Sequence, residues 1–142
     1  MKKIFVCFML CFFCLTSVSY AAYDFGFFTI DVPGDWDVID KTKDTVVIGA
    51  PDKKLSFSIM RLPLNGATTK QAAEDIAKEY KGTKPVQLDN RESYDFTMVA
   101  NGVDSYCQVW LLDGDKDVAV VFIFGDHDSA QANKILESIE YK

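Results

Sequence analysis

The dipeptide Asn101-Gly102 constrains this chain more than any other feature, because it is the preferred two-residue turn of a tight β-hairpin. Once that turn is placed, register follows outward. Ala100 faces Val103, Met98 faces Ser105, Phe96 faces Cys107 and Tyr94 faces Val109. These side chains share one side, and most are apolar. The other side pairs Val99 with Asp104, Thr97 with Tyr106 and Ser93 with Trp110. A slip of one residue would exchange the two sides wholesale. The hairpin therefore predicts Cys107 on an inner face, with Tyr106 and Trp110 on an outer one.

The neighbouring segments extend a sheet around it. Phe28, Ile30 and Val32 alternate with Thr29 and Asp31, the period-two pattern of a half-buried strand, and Pro33-Gly34-Asp35 turns the chain. Ala22 to Asp24 reads as a short lead-in. Trp36, Val38 and Ile39 suggest a short second strand, and residues 45–49 a third. Leu55, Phe57 and Ile59 alternate with Ser56, Ser58 and Met60 in a fourth, which ends near Pro63. The unbroken apolar run 118–124 (VAVVFIF) predicts a strand covered on both faces, hence central. Between them the period changes to that of a helix. Thr68 and Gln71 have capping-box spacing, and Ala73, Ile76, Ala77 and Tyr80 form a stripe about four turns long, with Gly82 as its expected left-handed stop. Asp128 with Gln131 predicts the cap of a second helix, striped by Ala132, Ile135, Leu136 and Ile139. Short turns between consecutive strands make the sheet mainly antiparallel, so the fold class is α+β, in layers with two amphipathic helices.

The first residues predict export. Lys2 and Lys3 precede an uncharged apolar core, residues 4–15, and Ser19-Tyr20-Ala21 offers small residues to a signal peptidase. Residues 1–21 then form a signal peptide and residues 22–142 a single domain that is periplasmic or secreted, without stable membrane insertion once the leader is cut. An uncleaved anchor is the competing reading, because the uncharged stretch runs on to Tyr23. Leu10 and Cys14 have lipobox spacing, but the bulky Phe13 argues against lipidation. Processing removes Cys7, Cys11 and Cys14 and leaves Cys107 alone, so no internal disulfide is available. It also removes Lys2 and Lys3 and no acid, which deepens the formal charge of −6. Such an acidic chain is a poor match for nucleic acid or anionic lipid.

The stretch Phe28-Thr29-Ile30-Asp31-Val32-Pro33-Gly34-Asp35-Trp36, the hairpin from Arg91 to Leu112 and the closing helix Lys134-Ile135-Leu136-Glu137-Ser138-Ile139 together resemble the PsbP-like fold. That family includes the extrinsic photosystem protein PsbP, the Ran-binding Mog protein and exported bacterial DcrB-like proteins, the last being the nearest in kind. The resemblance implies a three-layer α/β/α sandwich with helices on opposite faces. It also implies an accessory or binding role, with no shared catalytic residue. The extended metal-associated and partner-binding segments of the plant proteins are missing here, which gives no support to a photosystem role.

Catalytic motifs are sparse. The sequence holds no Gly-x-Ser-x-Gly, phosphate loop, His-Glu-x-x-His or Cys-x-x-Cys. Residues 113–117 alternate acids like the start of a calcium loop, but Val118 and Phe124 stand where glycine and the last acidic ligand belong. Cys107 reads as a core thiol. His127, the single histidine, sits between Asp126 and Asp128, either as a ligand or general base, or as a solvated loop residue beside a helix start. Tyr106 and Trp110 are core if a helix covers them and a binding patch if none does. The favoured function is a non-catalytic envelope module that binds a protein partner or small ligand through Trp36, Tyr106, Trp110 or His127, with no cofactor, no metal site and no nucleic acid. The alternative is a small hydrolase or cation-dependent enzyme built on His127 and nearby carboxylates.

Overall fold

A computed structural model describes residues 19–89 and 92–142. Most of the expected leader thus lies outside the described residues. Ten strands and two helices follow in the order β1 (Tyr20–Asp24), β2 (Phe28–Pro33), β3 (Asp37–Lys41), β4 (Thr45–Gly49), β5 (Leu55–Pro63), α1 (Thr69–Glu79), β6 (Val86–Gln87), β7 (Ser93–Ala100), β8 (Val103–Leu111), β9 (Asp117–Gly125), α2 (Ala130–Ser138) and β10 (Glu140–Tyr141). Seven strands make one antiparallel sheet in the order β3-β4-β5-β9-β8-β7-β6, and three make a smaller one, β1-β2-β10.

The hairpin has the expected register throughout, from Ser93 opposite Trp110 to Ala100 opposite Val103. Asn101 and Gly102 both take positive φ, 51° and 77°, as a turn twisted to match the flanking strands requires. Strand β9 is central. It pairs with β5 on one edge and β8 on the other, and Val118 to Ile123 are all buried. Its side chains divide between two cores. Val121 and Ile123 join Phe57, Ile59, Phe28, Ile30 and Ile135 on the face carrying α2 and the small sheet. Val118, Val120 and Phe122 join Phe96, Cys107, Val109, Ala73 and Ala77 on the face carrying α1. The two helices therefore lie on opposite faces, and the molecule is a three-layer α+β sandwich. Complete burial of each such aliphatic or aromatic side chain contributes about 1.5–3 kcal/mol.

Several expectations need correction. Ala22 to Asp24 is no lead-in: it belongs to β1, which pairs with β2 from Tyr20 opposite Pro33 to Asp24 opposite Thr29. Trp36 precedes its strand in a turn and is buried, whereas all of β3 is exposed. The cause is position, since β3 is an edge strand, and a bulge between Val38 and Asp40 disturbs its alternation. Helix α1 keeps its capping box at Thr68 and Gln71 but runs for 11 residues, nearer three turns. It ends in a Schellman motif, with Gly82 N–H bonded to Ala77 O and Lys81 N–H to Lys78 O. The left-handed residue there is Lys81, at φ 55°. Gly82 is glycine for another reason: a Cβ would stand 2.6 Å from the Phe96 ring and 3.0 Å from Thr97 O. Helix α2 is capped by Ser129, whose hydroxyl accepts from Ala132 N–H, and not by Asp128, one residue too early.

Candidate functional site

Strands β7 and β8 carry the outer-face residues in one strip, because their side chains alternate about the sheet. Along β8 the strip reads Asp104, Tyr106, Gln108, Trp110, and along β7 Val99, Thr97, Asp95, Ser93. Helix α2 packs into the core on the same face and borders this strip without closing it. Tyr106 and Trp110 are consequently half-buried, between the two sequence alternatives of core and open patch.

The middle of the strip is tied together. Tyr106 Oη donates to Asp95 Oδ2 at 2.9 Å and lies 3.5 Å from Gln108 Oε1, and Gln108 Nε2 donates to Ser93 Oγ at 3.4 Å. The His127 ring stacks on Tyr106, centroids 5.8 Å apart. Its Nδ1 lies 3.2 Å from Asp128 Oδ1, and the imidazole is mostly buried rather than solvated. Burial, and then the bond to Asp95, pushes the Tyr106 phenol well above its ordinary range, so it stays a hydrogen-bond donor. Trp110 meets Tyr141 edge to face at 5.5 Å. A depression of about 580 Å³ opens at one end of the strip between Glu92, Gln108, Trp110, Leu136 and Glu137. Another, of about 680 Å³, opens at the other end between Lys81, Thr97, Val99, Asp104 and His127.

The structure brings together three of the four residues singled out from sequence. Tyr106 and His127 touch, and Trp110 lies two positions along the same face of β8. Trp36 does not join them. It packs on Phe57 in the core and borders a separate depression of about 390 Å³ with Asp35, Asp52 and Asp126. Asp95, Gln108 and Ser93 were missed. The hairpin register already places Asp95 and Gln108 as the pair between Tyr106 and Trp110, with Ser93 opposite Trp110, and the signal lay in their polarity on a face whose neighbours are aromatic.

Cys107 takes no part in this arrangement. Cys107 is fully buried on the α1 side, opposite to Tyr106 and His127, and burial and the Asp95 charge hold its thiol protonated. Among the described residues no group of three His, Cys, Asp or Glu is placed to hold a metal ion. Among the same residues no helix is long and apolar enough to cross a membrane.

No protein-family model and no curated protein sequence matches the chain. Solved structures do. The yeast Ran-binding protein Mog1p superimposes with a TM-score of 0.52 at 15% identity, over 88% of this chain and 96% of Mog1p. The chain shares its fold. A crystal structure from Bacteroides thetaiotaomicron matches with a TM-score of 0.50 at 14% identity, and this chain spans about half of that protein's length: 88% of the one lies on 48% of the other. The layered α+β architecture expected from sequence is thus the architecture found, and Mog1p shares it.

Proposed function

We propose that this chain is an exported, DcrB-like accessory protein of the periplasm or envelope, which binds a protein partner without catalysing a reaction. The observation that carries this reading is the strip of Tyr106, Gln108 and Trp110, left open beside α2 with a depression at each end. Hydrogen-bonded polar groups interleaved with half-buried aromatics are the composition of protein-binding surfaces, where Trp and Tyr supply most of the energy. Mog1p, which shares the fold at low identity, is named for binding a protein. The basic and apolar leader supplies the export half of the reading.

The test uses the full chain expressed with its own leader. Fractionation should find it outside the cytoplasm, with a mass lowered by the leader. Immobilised chain should retain a specific partner from envelope extract, as should an Ile39→Ser control on the remote edge strand, while Trp110→Ala should not. Retention that ignores Trp110 would move the site elsewhere. A chain that stays cytoplasmic at full mass would end the export reading.

A further inference from the structure

We propose that the depression between α2 and the β7–β8 hairpin takes a basic segment of a partner protein, seating an Arg or Lys head group between Glu92 and Glu137 with its aliphatic stem along Trp110 and Leu136. This deepens the binding reading and rests on it. The charge distribution is the reason for a basic occupant. Glu92 and Glu137 both line the depression, one just before β7 and one on α2, and both are exposed. Among the described residues neither is paired with a Lys or Arg. Of the other acids nearby, Asp95 accepts from Tyr106 and Asp128 lies against His127, while Asp104 lines the opposite depression. Among the described residues that line the two depressions, the one Lys or Arg, Lys81, belongs to the opposite depression. Two carboxylates that pair with no described Lys or Arg therefore line the end of the strip that holds Trp110.

The floor suits the rest of such a segment. The Trp110 ring and Leu136 offer apolar surface to the stem of a long cationic side chain, which buries its methylenes while its head group stays polar. Gln108 and Asn133 offer side-chain amides to a peptide backbone. A bare metal ion is the wrong occupant, since the carboxylates do not converge with a third ligand among the described residues. An anionic ligand would meet two carboxylates that pair with no described Lys or Arg. Along β8 the strip from Asp104 to Trp110 is roughly 20 Å long at about 3.4 Å per residue, the reach of an extended peptide of several residues.

The experiment is an NMR titration of isotope-labelled chain with a short peptide alternating Arg and Leu, and with its Glu–Leu counterpart. The Arg–Leu peptide should shift resonances of Glu92, Ser93, Gln108, Trp110, Asn133 and Glu137, and added salt should weaken it. The paired variant Glu92→Gln/Glu137→Gln, exposed and isosteric, should keep its fold and bind about tenfold more weakly. The pair Asp35→Asn/Asp52→Asn, beside Trp36, should bind as the unaltered chain does. Shifts scattered over the acidic surface, or equal loss in both double variants, would reduce the effect to non-specific polycation binding and overturn the proposal. Binding of the Glu–Leu peptide to the same strip would also overturn the basic occupant while leaving the docking face intact. If neither peptide moves the strip, the proposal fails, and partner capture by the intact chain decides the broader reading separately.

Discussion

Lys81 holds a backbone conformation that most side chains avoid, and the residue after it is the glycine. A left-handed non-glycine residue costs roughly 1–2 kcal/mol. The helix end stays where it is because Gly82 is committed to the close approach of Phe96 and Thr97 O. Two substitutions separate these roles. Lys81→Gly should leave stability unchanged or raise it by about 1 kcal/mol, read from a urea midpoint. Gly82→Ala should lower stability by about 1–3 kcal/mol, because the Phe96 ring is core and Thr97 O already accepts from Thr83 N–H. The opposite ranking would mean that Gly82 serves the turn after all. A second expectation concerns Cys107, whose thiol burial pushes well above the 9.0 of a free thiol. Above about pH 9 the unfolded chain gives up this proton while the folded chain keeps it, so stability falls as pH rises. Below that pH both states are protonated and the contribution is complete. Denaturation between pH 7 and 11 should show a decline that becomes shallower, and begins nearer pH 10 where the tyrosines ionise, in Cys107→Ala. An unchanged decline would mean that Cys107 plays no part. What the sequence made visible at this scale is side, not contact. The register put Tyr106 outward, but only the folded chain puts His127 on its ring, since residues 21 positions apart have no periodicity in common.

Among elements, β1 is the most revealing. Tyr20 opposes Pro33, Ser19 O accepts from Gly34 N–H, and the Lys134 ammonium sits 3.9 Å from the Tyr20 ring centroid. The signal-peptidase site expected after Ala21 falls inside this strand. A chain beginning at Ala22 loses these contacts and keeps the pairs from Ala22 to Asp24. It should be less stable than a chain beginning at Ser19 by about 1–3 kcal/mol, the sum of a cation–π contact, two or three backbone hydrogen bonds and part of a buried ring. Equal melting temperatures would show that the first residues of β1 are dispensable. The long strands were legible because each carries its own pattern, as β5, β8 and β9 do. Strands β6 and β10, of two residues each, carry none; β6 exists through the next strand, β7, and β10 through the distant β2. The small sheet was invisible for the same reason: β10 reaches β2 across most of the chain.

At the scale of the molecule, one sheet separates two cores, so the two faces should fail separately. The chain end closes the α2 side. Tyr141 Oη donates to Met60 O at 2.8 Å, Lys142 N–H donates to Phe27 O, and Arg61 binds both Asp117 and Lys142 O. Tyr141→Phe should therefore speed hydrogen exchange in β1, β2 and α2 while leaving α1 and its Ala73 and Ala77 contacts protected. Uniform acceleration would mean that the layers unfold as one unit. The edge of the large sheet carries a last consequence. Strand β3 leaves Val38 and Ile39 bare at the margin, which is the invitation by which sheets recruit further strands and grow into fibres. Asp37, Asp40 and Lys41, together with the bulge that interrupts the ladder, make that margin a poor template. Solubility at high concentration is thereby entrusted to a handful of charges, and replacing Asp40 and Lys41 with valine would turn a quiet border into a seed.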